Sequence, residues 1–333
     1  MSDTIISWLM RAITFGSVIM YGALGETLTE KSGNMNLGTP GIMCIGGAFG
    51  FGGAYLYEIN TENPSVVISI AVALLCGFAA SALAGMLFCF LTTTLRANQN
   101  VTGLAMTIFG SGLARFFGTF IIPKGVITVK AAFANRIFSK TLPIGNDVLG
   151  GVGRIVLGHG FMMYLAIVIA IIMAILLKRT RIGLNLRSVG ENPGTADAAG
   201  INITKYKYLA TSIGAGISGL GGVYYVLDYN YGGWSTAAAG AIEAMGWLAV
   251  ALVIFAIWRP LNLIWGSYLF GICYWLYSYI SVFGVKTSSA QNALLEAIPY
   301  VVTIVVLIVS SIRKKRENQP PASLGLSYFR EER

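Results

Sequence analysis

What most constrains this chain is a succession of apolar segments, each about the 20 residues a helix needs to cross the hydrocarbon core of a bilayer. Candidate spans lie near 5–24, 38–57, 65–95, 100–122, 154–178, 205–228, 240–258, 261–283 and 296–312. The expected count is about nine, within a range of roughly eight to ten. The segment 65–95 is long enough for a tilted span, or for a span plus a surface piece. A soluble fold cannot absorb this pattern. Only 11% of the 333 residues are charged, 55% are hydrophobic and the mean hydropathy is +0.70, whereas a soluble domain carries about 25% charged residues. The 41 glycines suit helices packed closely in lipid. The fold class is therefore an all-α polytopic membrane protein, with residues 1–312 as the transmembrane domain. Residues 313–333, charged and containing Pro320-Pro321, are expected to form a disordered tail. The N-terminus lacks the basic start and small-residue cleavage site of a removable signal peptide, so the first apolar segment is expected to be retained.

The net charge of +9 would suggest a nucleic-acid partner in a soluble protein. Here the bases gather at the ends of apolar segments, as the positive-inside rule requires, and no basic, aromatic-interleaved platform accompanies them. Lys178, Arg179, Arg181, Arg187, Lys205 and Lys207 place the loop 179–207 in the cytoplasm, and Arg313, Lys314, Lys315 and Arg316 place the C-terminus there too. Glu58 and Glu62 then fall outside and Arg96 inside; an odd span count puts the N-terminus outside. The stretch 123–153, with Lys124, Lys130, Arg136 and Lys140, falls outside against the rule, which long loops obey less strictly. Cys44, Cys76, Cys89 and Cys273 have no paired spacing and read as small packing residues. His159 is the single histidine, so a histidine-rich metal site is excluded.

The two halves echo one another weakly. Gly41, Gly46 and Gly47 precede a span with Leu87-Phe88 and then Gln99-Asn100; Gly240 and Gly246 precede one with Leu269-Phe270 and then Gln291-Asn292. Five spans separate the copies, which would give them inverted topology, an arrangement common in transporters.

The most informative polar stretch is the loop GLNLRSVGENPGTADAAGINITKYK, residues 183–207. Asn192 is a favoured helix N-cap and Pro193 suits the first helical position. Ala196, Ala198 and Ala199 favour helix, and Gly200 supplies the usual stop. The pattern predicts a helix of about two turns from Pro193 to Ala199, too short to be stable alone in water, with no apolar stripe to bury in its own protein. Its flanking spans or another protein must hold it.

Arg187, Gly190-Glu191-Asn192-Pro193, Ala196, Ala198-Ala199-Gly200-Ile201-Asn202 and Lys205 resemble the short coupling helix of bacterial ABC importer permeases for simple sugars, nucleosides and branched-chain amino acids. The run Ile217 to Gly222 is also similar to that family's small-residue helix, and the likeness extends from about residue 20 to 310. A second stretch, residues 25–41, resembles the family's first-half signature in Glu30, Gly33, Asn36, Leu37, Gly38 and Gly41. Lys31 stands for the usual Arg, and Thr39-Pro40 replaces a position that often carries Glu. Ala97 to Gly103, with Asn98, Gln99 and Asn100, is similar to a third signature. The resemblance is strongest to the nucleoside branch associated with basic membrane lipoproteins, with ribose- or galactofuranose-type sugars as the alternative cargo.

That resemblance implies a set of partners: a cytoplasmic ATPase that docks the coupling helix, a second permease chain (the same or a related one), and an extracytoplasmic solute-binding protein. ATP and magnesium would act through the ATPase, and the chain itself would bind no cofactor or metal. The sequence agrees, holding no G-x-x-x-x-G-K-[ST] phosphate loop and no catalytic Ser/His/Asp set. The expected location is the bacterial inner membrane.

The candidate pathway residues are Glu30, Asn34, Asn36, Gly38, Gly41, Asn98, Gln99, Asn100, Arg115 and Glu243. Asn34 and Asn36 either offer hydrogen bonds to a hydroxylated solute or cap helices around a solvated inner loop. Asn98 to Asn100 either line the route or cap a helix after Arg96. Ionisable groups inside a membrane usually face a cavity or partner, so Arg115 and Glu243 form a gate or a subunit contact, or snorkel from span ends. Tyr224, Tyr225, Tyr229, Tyr231 and Trp234 are expected to form an interfacial aromatic belt. An ion-coupled secondary transporter is the alternative of another class, with Glu243 its clear intramembrane carboxylate; a membrane-embedded enzyme would need a convergent catalytic set that the sequence does not offer.

Overall fold

The computed structural model describes residues 2–123, 126–140, 150–235, 237–280, 288–313 and 319–329. Lys124, Lys314, Lys315 and Arg316 lie outside the described residues.

The apolar segments fold as helices: α1 Ser2–Glu30, α2 Thr39–Asn60, α3 Val66–Cys89, α4 Gln99–Ile121, α5 Ala132–Phe138, α6 Gly150–Leu157, α7 Phe161–Arg179, α8 Arg181–Glu191, α9 Pro193–Ala198, α10 Ile203–Tyr224, α11 Ala238–Phe255, α12 Pro260–Ile280, α13 Ser289–Glu296 and α14 Ile298–Arg313. Short π-helical turns extend α3 through Thr94 and α10 through Tyr229. Seven helices among the described residues are long and apolar enough to cross a membrane: α1, α2, α3, α4, α7, α10 and α11. The expected nine is therefore matched only to that extent, and the inverted repeat is not established by these elements. The long segment 65–95 is one continuous helix, Val66–Thr94. The span expected over 154–178 is instead two pieces, because Gly158 and Gly160 interrupt it and the crossing helix begins at Phe161.

α1, α2 and α10 form the centre, and small residues explain how closely they approach. A Cβ at Gly46 would run into the backbone of Gly219, one at Gly222 into Met43, and one at Gly25 into Gly214 and Ser218. α4 meets α2 the same way, Gly41 against Met106 and Thr107, and Gly110 against Gly41. Without a hydrophobic force between helices in lipid, such backbone-close contacts carry the packing. The outer faces carry Val67, Leu75 and Leu83 of α3, Ile108, Phe116 and Phe120 of α4, and Ile172 of α7, all exposed and apolar, as lipid contact requires.

At one end, β1 (Thr128–Lys130) pairs antiparallel with β2 (Gly233–Ser235), Val129 opposite Trp234. Glu58 ties this cap down, accepting from the backbone N–H of Phe133 (3.1 Å) and Ala134 (2.8 Å) and from the Ser69 hydroxyl (2.6 Å). The expected aromatic belt is corrected here. Tyr224 and Trp234 are fully buried and Tyr225 nearly so, with only Tyr231 well exposed. Trp234 stacks on Phe51 at 5.8 Å and Tyr224 meets Tyr21 edge-on at 6.1 Å. The β pairing folds these rings inward over the helix ends, so they form an internal plug.

The opposite end gathers the loop 31–38, residues 95–98, α8, α9, the turn 256–259 and residues 319–329. This is the set of segments expected on one side of the membrane. The tail differs from its compositional reading. Ser323 N–H donates to Gly190 O (3.0 Å), Gly325 N–H to Gly33 O (3.3 Å), and Tyr328 OH to Asp197 Oδ2 (3.0 Å). Residues 319–329 carry no charged side chain, and carbonyls of α8 and of the loop after α1 give their backbone a place to bond.

Candidate functional site

The predicted two-turn helix is present as α9, one residue shorter than expected. Asn192 is its N-cap, its side-chain oxygen accepting from Thr195 N–H at 3.0 Å, and Pro193 fills the first position where a missing N–H does no harm. Ala199 and Gly200 end it, Gly200 at φ +79, a left-handed conformation that a Cβ would disfavour. Ala198, Ala199 and Gly200 are exposed, and so are Glu191 and Asn192.

Two features of this region differ from the sequence reading. The residues before α9 form a helix, α8, whose buried face is Gly183, Leu186, Val189 and Gly190. The short helix also has an inward contact: Ala196 is buried with Val189 and Ile203, and Tyr206 and Tyr328 pack beside them. α9 is thus seated on its own chain by one alanine, while the alanines on its other side remain free. Arg187 lies on the exposed side of α8. Gly190 packs directly on the backbone of Lys31 and Gly33, which ties the seat of α9 to the loop after α1. Burial lowers the Lys31 ammonium pKa from its ordinary value, with nearby Glu191 opposing that shift.

Behind this loop lies a buried polar seam. Glu30 is 6% exposed and accepts a short hydrogen bond from the Trp258 indole N–H. Trp258 and Ile257 both sit at positive φ (51 and 56), a conformation that is strained for such side chains and held by the surrounding structure. Glu26, one turn earlier, is 1% exposed and bonds the Thr39 hydroxyl. Asn34 donates to Thr211 Oγ1 (3.1 Å) and Thr93 Oγ1 (3.4 Å), while its own Oδ1 has no hydrogen-bond partner among the described residues. Asn36 Oδ1 accepts from Gly38 N–H at 3.0 Å, a local turn. Gln99 Oε1 accepts from Met35 N–H at 2.7 Å, and its amide donates to Leu326 O at 3.4 Å.

The candidate pathway residues therefore divide. Glu30, Asn34, Asn36, Gly38, Gly41 and Gln99 are buried within the chain. Asn98 and Asn100 are exposed, and Asn98 caps α4 by accepting from Val101 N–H at 3.1 Å. Arg115 of α4 and Glu243 of α11 meet at 3.4 Å, with side chains 56% and 27% exposed. Sequence reasoning missed Glu26 and Trp258, and noted Thr39 only as a departure from the family's signature. The signal for Glu26 was its spacing of four from Glu30, which puts both carboxylates on one face of α1.

Close-packed apolar helices, a capped surface helix and an internal polar seam define a multi-pass membrane protein of the transport class. The chain belongs to the family of permease components of the branched-chain amino acid transport system, whose family model matches residues 8–309. It is 29% identical to a protein of Haloferax volcanii named a putative glucose ABC transporter permease, over 97% of both chains. It is 28% identical to a nucleoside ABC transporter permease of Lactococcus lactis and 29% identical to a guanosine ABC transporter permease of Bacillus subtilis, over 89% of each chain in both pairs. No solved structure matches the chain significantly. The resemblance of the coupling-loop and first-half signatures is thus extended to nearly the whole sequence, and an ion-coupled secondary transporter is set aside.

Proposed function

We propose that this chain forms the nucleoside-translocating path of an ATP-binding-cassette importer, driven by a separate cytoplasmic ATPase that grips α9. The observation that carries the reading is the one-sided seating of that helix. Ala196 fixes it to the permease, while Ala198, Ala199 and Gly200 present a small, flat surface to an incoming cleft. In this reading Arg187 and Glu191 make charged contacts at the rim. ATP and magnesium act in the ATPase, the end bearing α9 and residues 319–329 faces the cytoplasm, and α12 and α14 complete nine spans of an inner-membrane protein.

Movement of α9 has a physical route inward: Gly190 rests on Lys31 and Gly33, Glu30 holds Trp258, and Trp258 ends the turn after α11. α11 carries Glu243, paired with Arg115 on a face that is open in the single chain. Beside the pair, Gly112 and Gly240 have no heavy atom of the described residues within 4 Å of a would-be Cβ. We assign the solute path to this face, completed by a second permease chain. Glu30, Asn34, Asn36, Gly38, Gly41 and Gln99 act as the framework that transmits the motion, and Asn98 and Asn100 stand at its α9 end.

Nucleosides are favoured by the two relatives named for them, and simple sugars are the second reading, favoured by the relative named for glucose at 97% coverage. The test is uptake of labelled nucleosides and sugars by vesicles holding the permease, its ATPase and the solute-binding protein. Ala199→Trp and Gly200→Pro should abolish ATP-dependent uptake while the permease still inserts. Normal uptake by both variants, or gradient-driven uptake by the permease alone, overturns the docking assignment. Uptake of sugars without nucleosides overturns the cargo alone.

A further inference from the structure

Lys207 presents a problem that the transport reading does not solve. It sits in the first turns of α10 and is only 3% exposed. It makes no hydrogen bond or ion pair among the described residues. A buried ammonium is strongly disfavoured unless an anion or a set of acceptors replaces its lost water. Lys207 nevertheless lines a cavity of about 510 Å³ between the end of α3, the start of α10 and residues 327–328. Arg96 lines the same cavity, its guanidinium lying 4.6 Å over the Phe329 ring and its backbone at φ +58, a conformation uncommon outside glycine. Arg96 likewise forms no ion pair among the described residues.

The remaining wall adds to the positive field. Ile203 and Thr204, the first residues of α10, line the cavity. The first N–H groups of a helix lack intrahelical partners and carry the positive end of its dipole. Thr93 supplies a hydroxyl. The single carboxylate among the described wall residues is that of Asp197, whose Oδ2 is engaged by Tyr328 OH at 3.0 Å. One guanidinium, one buried ammonium and a helix N-terminus thus line the same cavity, together with one engaged carboxylate.

We infer that this cavity binds a phosphate group, carried by a small polar phosphomonoester or by an anionic lipid headgroup, with Lys207 and Arg96 as its charge partners. The chemistry fits phosphate in particular. Helix N-termini suit phosphate oxygens, and guanidinium with ammonium supplies fixed and point-charge donors together. A volume within the ordinary range of ligand pockets, about 300–1,000 Å³, leaves room for an attached sugar or glycerol. Because Asp197 and Ser327–Tyr328 close one side, an occupied cavity would bridge α9, α10 and the C-terminal segment. The inference concerns binding to this chain and does not depend on which solute is carried.

The full-length chain in zwitterionic nanodiscs should broaden the phosphorus NMR line of added ribose 5-phosphate or inorganic phosphate saturably. In a second arm, the detergent-purified chain should retain phosphatidylglycerol over phosphatidylcholine in native mass spectrometry. Lys207→Gln should weaken the bound probe by about tenfold or more, as expected for loss of a charge-assisted bond. Lys207→Arg should largely restore it, and Lys205→Gln, at an exposed position on the same helix, should leave it unchanged. Arg96→Gln, at an exposed site, should also weaken it and covers the case in which the Lys207 variant fails to fold. Binding in the first arm alone identifies a soluble phosphate, and in the second alone a lipid headgroup. Equal behaviour of the parent and the Lys207 and Arg96 variants toward every probe overturns the site.

Discussion

Ser323 closes on the carbonyl of Gly190, donating both its backbone N–H (3.0 Å) and its hydroxyl (2.5 Å) to the same oxygen. That carbonyl belongs to the last turn of α8, where helix geometry leaves acceptors unpaired, and it lies two residues before the Asn192 cap of α9. The C-terminal segment thereby fastens the seat of the coupling helix. Ser323→Ala removes the hydroxyl contact and should loosen the seat by about 1 kcal/mol, roughly fivefold faster hydrogen exchange over α8 and α9. Truncation after residue 318 should loosen it further, since it also removes the bond from Tyr328 to Asp197. Unchanged exchange in the truncated chain would show that the segment only rests there.

The Trp258 indole is the buried donor to Glu30. Trp258→Phe keeps an aromatic ring of similar shape but strips the Glu30 carboxyl of that donor, at a cost of about 1–3 kcal/mol for a buried acceptor left unsatisfied. Thermal unfolding in detergent should report the loss. If the contact also relays motion from α9 to α11, ATP-dependent uptake should fall further than the lost stability explains. Glu30→Gln combined with Trp258→Phe should recover part of the stability, because no ionisable group is then left buried without that donor. Full uptake in the single variant would break the proposed route at this link.

Arg115 and Glu243 join α4 to α11 through groups that remain half-exposed and partly exposed. An exposed pair contributes about 0–1 kcal/mol, so stability should barely respond to Arg115→Glu. Transport should respond strongly if this face lines the solute path. The exchanged pair, Arg115→Glu with Glu243→Arg, should recover part of the uptake lost by either single reversal. Parental uptake in both single variants would move the path away from this face.

How much of this was legible in advance depends on how local the signal was. The cap, proline and glycine of α9 are read within ten residues, and the structure matches them to within a residue at the C-terminal end. The spans α1 to α4 follow from apolar length alone. α8 escaped notice because its buried face alternates Gly183, Leu186, Val189 and Gly190, and glycine gives no hydrophobic signal although its absent side chain admits the Lys31 backbone. The order of residues 319–329 was equally hidden, since it comes from partners such as Gly190 O and Gly33 O, more than a hundred residues away in the chain. The aromatic residues near 224–234 misled for a related reason. Composition suits a membrane interface, but the pairing of β2 with β1 turns Trp234 inward. Local chemistry predicted local structure, and wherever a distant strand or carbonyl decided the outcome, the residues alone were silent.

His159, in the break between α6 and α7, makes a pH dependence that can be isolated. It is 4% exposed, with Nε2 2.9 Å from the Ile155 carbonyl and Nδ1 3.4 Å from the Thr14 hydroxyl oxygen. A carbonyl can only accept, so Nε2 carries the proton of a neutral ring. Burial lowers the His159 pKa from its ordinary value, with the Ile155 carbonyl opposing the shift. Above the unfolded value of about 6.5 the ring is neutral in both states and the fold has its full stability. As the pH falls below that value, the unfolded chain takes up a proton that the folded chain resists, and stability is lost until the lowered folded pKa is reached. Acidification from about pH 7.5 to 5.5, across the ordinary pKa, should therefore lower the melting temperature of the parent more than that of His159→Gln. The glutamine amide can keep a donor near Ile155 without titrating. Equal acid shifts in the two proteins would place the sensitivity elsewhere, among the carboxylates.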